Sequence, residues 1–140
     1  MKFKFINQLD PYYQEEKMLR WEVLEKPYGI PPGFKSTPEE NHCLHLIALD
    51  NKSLVGCALC TMDGKIFDCV LQDGKVRFAR QMIHRLEERL QKNGLSDVYV
   101  IAQEENQNFF SLLGYTPEGE AFEEYGIMYQ KMGKKLLISA

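Results

Sequence analysis

The stretch "LQDGKVRFARQMI", from Leu71 to Ile83, decides how the chain is read. An apolar strand-like run, "KIFDCVL" (65–71), leads in, and an amphipathic run, "FARQMIHRLEERLQKNG" (78–94), leads out. A strand handing over to a helix through a short polar loop is a common seat for a phosphate. The first N–H groups of the helix have no internal partners, and the helix dipole adds positive potential there. Such loops usually carry several glycines, which let the backbone come close and tolerate φ > 0. This loop has only Gly74. Three readings are therefore open. In the first, the cations Lys75, Arg77 and Arg80 replace backbone contacts, with the Arg77 guanidinium gripping a phosphate in two-pronged fashion. In the second, the seat has lost tight binding. In the third, it is a plain loop. Farther along the helix, Arg85, Arg89 and Lys92 mix with Glu87 and Glu88, as on a solvated face.

Working outward, apolar residues at Phe78, Met82, Leu86 and Leu90, with Ala79 and Ile83, predict a helix that Gly94 stops. Upstream, "CLHLIALD" (43–50), "SLVGCALCTM" (53–62) and "KIFDCVL" predict three strands joined by the turns "NK" and "DG". Earlier still, "KFKFI" (2–6) alternates as a half-buried strand does. In "DPYYQEEKMLRWEVLEKP" (10–27), Asp10 suits a cap and Pro11 a first helical position. Tyr13, Met18, Trp21 and Leu24 predict the apolar stripe of that helix, and Pro27 ends it. "YGIPPGFKSTPEEN" (28–41) reads as an irregular loop. Downstream come a strand at "SDVYVIA" (96–102), a short helix at "QEENQNFFSLLG" (103–114) and a strand at "YGIMYQKM" (125–132). Strands and helices in this order predict an α/β (α+β) fold, with helices on a mixed, mostly antiparallel central sheet.

The bulk numbers set the class. A chain of 140 residues fits one domain, spanning 1–140, with one sizeable core. A net charge of −3 gives no general nucleic-acid or anionic-membrane surface. No apolar run approaches the roughly 20 residues that span a bilayer. The first ten residues hold no signal-peptide core, so a cytoplasmic location is expected. Cys43, Cys57, Cys60 and Cys69 all lie in strand-like runs, where reduced thiols act as small hydrophobes. Cys57 and Cys60 have zinc-like spacing, but a three-residue offset in a strand points two side chains to opposite faces. No metal is expected.

Four phrases, in order and nearly spanning the chain, resemble the GNAT superfamily of acyl-CoA-dependent N-acetyltransferases, and most its ElaA-like branch. They are "RWEVLEKPYGIPPG" (20–33), "EENHCLHLIALD" (39–50), "VYVIAQEENQNFFSLLGY" (98–115) and "GEAFEEYGIMYQKM" (119–132). The resemblance implies a GNAT fold and transfer of an acetyl group from acetyl-CoA, or another acyl-CoA, to an amine on a small molecule or protein. Strand edges and the Pro-rich loop are candidate surfaces for a homodimer. In this family the strand-loop-helix unit holds the cofactor diphosphate through a pattern Arg/Gln-x-x-Gly-x-Gly/Ala. Aligned on "ARQMI", the pattern falls on Gly74, Arg77 and Ala79, and only Ala79 conforms. The rival reading is a non-catalytic binding or regulatory module.

The same resemblance assigns the remaining roles. The N–H that stabilises the thioester oxygen comes from Val70 or Leu71. The loop and helix start, Lys75, Arg77, Phe78, Ala79 and Arg80, face the diphosphate. Asn106 and Phe109 lie on the helix beside the pantetheine arm. The family's thiolate acid is the Tyr of a Phe-Tyr pair; here the pair is Phe109-Phe110, and phenylalanine cannot donate a proton. Tyr115 is the nearby candidate to replace it. Glu124 matches the glutamate of the closing phrase and is the candidate base. His45, on an apolar strand, reads as a satisfied core imidazole ahead of a base. Tyr129 stands where the branch has a histidine. The segments 28–41 and 117–125 are expected to line the acceptor side.

Overall fold

Eight strands form one mixed sheet in the computed structural model of the chain, which describes residues 1–32 and 42–136. Strand β1 (Lys2–Ile6) pairs antiparallel with β2 (Cys43–Asp50), β2 with β3 (Ser53–Thr61), and β3 with β4 (Lys65–Leu71). Strand β5 (Asp97–Gln103) lies parallel to β4 and antiparallel to β8 (Ile127–Lys135). Two short strands, β6 (Thr116–Pro117) and β7 (Phe122–Glu124), pair with β8. The fold class and the mostly antiparallel pairing agree with expectation. Neither β6 nor β7 is foreseen by the sequence reading.

Alternation sorts each strand's side chains onto two faces. Leu46, Ala58, Cys60, Ile66, Val98 and Val100 face helix α2 (Ala79–Lys92), whose Met82, Ile83, Leu86 and Leu90 fill that layer. Each of these helix side chains contributes about 1.5–3 kcal/mol by leaving water. Helix α3 (Gln107–Leu112) adds Phe110 to the same layer. Ile47, Leu49, Cys57, Leu59 and Val70 face the other way, toward Leu19 of helix α1 (Tyr13–Arg20). Among the described residues, no helix is long and apolar enough to cross a membrane.

Helix α1 departs from its predicted stripe. Met18 is exposed, and the buried residues are Glu16, Leu19 and Arg20. The helix also starts later, at Tyr13; Asp10 precedes it, accepting the Tyr12 amide on Oδ1 at 2.9 Å. After Arg20 the chain widens into a π-helical turn (Trp21–Glu25) and tightens into a 3₁₀ turn (Lys26–Tyr28). Two of the three residues that α1 buries on the sheet are charged, so an apolar stripe could not reveal them.

Cys57 and Cys60 do fall on opposite faces of β3. Burial holds the Cys60 thiol up at about 12 and raises Cys57 and Cys69 well above the free-thiol range. Because the thiolate is the reactive form, the buried pair Cys57 and Cys60 should resist a disulfide reagent at pH 8 in the native protein. All four cysteines should react rapidly in denaturant. Labelling of Cys57 or Cys60 within seconds, before unfolding, would contradict the burial described here.

Candidate active site

Strands β4 and β5 touch only at their start. Lys65 pairs with Tyr99 and Ile66 with Val100, and there the parallel ladder ends. Gly64 closes this base: a Cβ there would lie 2.7 Å from the Asp97 carbonyl oxygen, and φ is +103°. Beyond Ile66 the strands diverge, because β4 carries a bulge. Cys57 faces Val70 and Leu59 faces Phe67, so Ala58 alone opposes both Asp68 and Cys69. An extra residue bends and twists the bulged strand away from its neighbour. Asp68 absorbs the bend with φ +49°, a conformation that aspartate tolerates better than most residues. The opening is a cavity of about 440 Å³. Its walls include Asp68 and Cys69 from β4, Gln103 from β5, Phe110 from α3, Tyr129 from β8, and Arg20 at the end of α1.

A chain of charge runs from this wall into the interior. Arg20 reaches Asp68 Oδ2 with Nη1 at 3.3 Å and Glu16 Oε2 with Nη2 at 3.5 Å. Both Glu16 oxygens lie 3.0 Å from Nδ1 of His45, which therefore carries its proton on Nδ1. Glu16 is fully buried and His45 is 1% exposed. The Tyr13 ring meets the imidazole edge-on at 5.5 Å. His45 is thus a satisfied interior imidazole, as its apolar strand suggested, and its partner is a carboxylate four residues before Arg20 on α1.

At the far end of β4 the loop runs through Gly74, with φ +83°, into a 3₁₀ turn (Val76–Phe78) and then α2. Among the described residues no side chain caps α2, and its first turn holds no acidic residue. The positive helix end is left uncompensated. Two of the three cations near it, Lys75 and Arg77, are occupied elsewhere. Lys75 Nζ lies 2.7 Å from Asp50 Oδ2, and this pairing holds the Asp50 carboxyl below its usual range. Arg77 donates to the Gly74 carbonyl oxygen at 3.2 Å and lies over the Phe78 ring at 4.7 Å. Phe78 and Ala79 are half-buried at the junction, and Arg80 is exposed.

Val70 is buried against the α1 layer, and Leu71 flanks the α2 layer. Asn106, at the end of a 3₁₀ turn (Glu104–Asn106), lines the cavity. Phe109 packs on the core with its ring 5.2 Å from that of Phe110, and it is Phe110 that reaches the cavity. Tyr115 is 1% exposed and donates its hydroxyl to Glu87 Oε2 at 2.7 Å, beneath α2. Burial, and then that hydrogen bond, push its phenol far above the ordinary tyrosine range. The structure does not bring Tyr115 to the cavity. Glu124 is exposed on β7. Tyr129 is raised by burial first and then by the charges of Glu124 and Asp68, while a hydrogen bond from Gln103 works against the rise. Glu124 itself is not among the residues that line the cavity. The expected acceptor segment 28–41 lies outside the described residues from position 33 on.

Three residues of this site escape the sequence reading: Glu16, Arg20 and Asp68. Two signals were available. Glu16 and Arg20 stand at the i, i+4 spacing of a helical ion pair, and Asp68 interrupts the otherwise apolar "KIFDCVL".

Residues 10–136 match the acetyltransferase (GNAT) domain, and the chain belongs to that family. Its fold is similar to that of Escherichia coli ElaA, with a TM-score of 0.82 and 19% identity over 96% of this chain and 99% of that one. It is equally similar to an acyl-CoA N-acyltransferase from Pseudomonas aeruginosa, with a TM-score of 0.82 and 17% identity over 96% and 99%. An aminoglycoside 6'-N-acetyltransferase complexed with coenzyme A gives 0.79 and 14% over 100% and 99%. No curated protein matches the chain in sequence. The likeness to ElaA drawn from four phrases thus has a structural counterpart.

Proposed function

We propose that the protein is an acyl-CoA-dependent N-acyltransferase that moves an acetyl group from acetyl-CoA to a primary amine of a small molecule or protein. The observation that carries this reading is the cavity in the β4–β5 split, with the uncapped α2 start at the far end of the same strand. That helix end fits a diphosphate, since among the described residues neither a capping side chain nor a first-turn carboxylate competes for it. In this reading Lys75 and Arg77 exchange their present partners for phosphate oxygens, with Phe78, Ala79 and Arg80 forming the rest of the seat. Asn106 and Phe109 flank the pantetheine arm. The acyl thioester supplies the electrophilic carbonyl, and the Val70 or Leu71 amide stabilises the charge growing on its oxygen. Glu124 takes the proton from the amine, directly or through water. Tyr115 keeps a packing role. The thiolate leaves without a protein acid, which its pKa of about 8.5, by analogy with cysteine, permits near neutral pH. The four free cysteines fit a reducing compartment, the cytoplasm.

Calorimetric titration with acetyl-CoA and with CoA tests the reading. Saturable heat is expected at ligand concentrations of about 1 mM or below, followed by acetylation of at least one member of a broad amine panel. An absence of heat at millimolar ligand removes it. A second reading, a binding or regulatory module, is favoured by Phe110 in the cavity wall where the family places an acid. It predicts binding without turnover on the same panel.

A further inference from the structure

We propose that Asp68 holds the ammonium group of the acceptor, and that the buried set His45–Glu16–Arg20 exists to fix that carboxylate at the cavity wall. The proposal rests on the acyl-transfer reading and adds to it the residue that selects a cationic acceptor.

Three observations carry it. First, Asp68 is where the β4 bulge falls, and its backbone takes φ +49° to make the bend. The same bulge opens the split, so the carboxylate lies at the point where a thioester and an amine would meet. Second, its placement is enforced. Arg20 is one cation between two carboxylates, 3.3 Å from Asp68 and 3.5 Å from Glu16. His45 secures Glu16 from the other side at 3.0 Å, which leaves the Arg20 fork directed along the wall toward Asp68. Third, Glu16 and Arg20 are buried, whereas the Asp68 side chain is 37% exposed, so Asp68 is the carboxylate that the set presents on the cavity side.

Other charges on the cavity do not cancel this. Lys17, also on the lining, extends over the Tyr13 ring at 4.8 Å, and Glu25 adds a further carboxylate. Phe110 and the stem of Met18 supply apolar contact for the acceptor's carbon skeleton. A small primary amine with an apolar body is the chemistry that such a wall accepts. A neutral nucleophile of the same shape gains nothing from Asp68. Glu16, Arg20 and His45 are positioning residues, since they act through Asp68.

The test compares benzylamine, cationic at pH 7.5, with phenylhydrazine, which is nearly isosteric and neutral there. Calorimetry on the CoA-loaded protein should show benzylamine binding at least tenfold tighter than phenylhydrazine. Asp68→Asn should abolish that preference while CoA affinity stays within twofold of wild type, and Asp68→Glu should restore part of it. Where turnover is seen, Asp68→Asn should raise KM for benzylamine more than it lowers kcat. Equal affinity for benzylamine in wild type and Asp68→Asn overturns the proposal, as does a wild type that binds no benzylamine; in either case the acyl-transfer reading stands if CoA binds. Absence of CoA binding removes that reading instead. The Asp68 assignment then survives only if the free protein binds benzylamine and Asp68→Asn loses it.

Discussion

Replacing Glu16 by alanine is expected to lower the stability of the fold by about 3–5 kcal/mol. The carboxylate is fully buried and serves two partners, His45 at 3.0 Å and Arg20 at 3.5 Å. Its removal leaves a guanidinium and an imidazole N–H in a layer otherwise filled by Leu19, Ile47 and Leu59. Losing one member of a buried ionic set costs more than the set contributes as a whole, because the groups left behind stay desolvated with less compensation, Arg20 retaining Asp68 at 3.3 Å. That asymmetry supplies a control. The triple change Glu16→Leu, Arg20→Met, His45→Leu removes the entire set for apolar volume and should recover most of the lost stability. Urea denaturation would read both. The single variant should show a midpoint lower by at least about 1 M, with the triple variant near wild type. A loss under about 1 kcal/mol in Glu16→Ala would mean that water reaches the site and that the set is not held as described. The triple variant also separates folding from function: it should fold, yet leave Asp68 without its Arg20 partner.

How much of this was legible beforehand depends on where the information lies along the chain. Strand β4 is read from 65 to 71 and observed at Lys65–Leu71, because five of these seven neighbouring residues are apolar. Helix α2 is legible for the same reason: Met82, Leu86 and Leu90 recur at helical spacing, and Gly94 follows with φ +88°. Strands β6 and β7 carry no such local signal. Thr116, Pro117 and Phe122–Glu124 are exposed and become strands only because β8 offers them ladder partners. The buried face of α1 was read from its apolar residues, whereas the fold buries Glu16 and Arg20 and leaves Met18 in solvent. A charged residue can be interior only when its partner is beside it, and the partners here come from β2 and β4, 29 and 48 residues away. The phosphate seat was legible as a helix start. The engagement of Lys75 with Asp50, 25 residues distant, was not. Sequence periodicity reports local burial, while the site is assembled from pairs of charges that only the folded chain brings together.

The largest functional loss is expected from Gly56→Ala on β3, a residue with no polar group and no place on the cavity. Gly56 pairs with Leu71 at the end of β4. A Cβ at this position would lie 2.8 Å from the Val70 carbonyl oxygen and run into Leu71 Cδ2. The carbonyl belongs to the backbone and cannot rotate aside, so β4 must move away from β3. Overpacking of this kind costs about 1–3 kcal/mol in stability. The displacement falls on Val70 and Leu71, whose amides face the thioester oxygen in the proposed reaction, and on the loop that starts α2. A shift of about 1 Å at such groups can lower a rate by about 100-fold. Gly56→Ala should therefore reduce kcat/KM by about that factor and weaken CoA binding, as measured by calorimetry, at least tenfold. The double variant Gly56→Ala, Leu71→Ala relieves the side-chain half of the clash and leaves the carbonyl, so it should recover CoA affinity only in part. If Gly56→Ala binds CoA as wild type does, the end of β4 does not position the cofactor, and the roles given to Val70 and Leu71 fall with it.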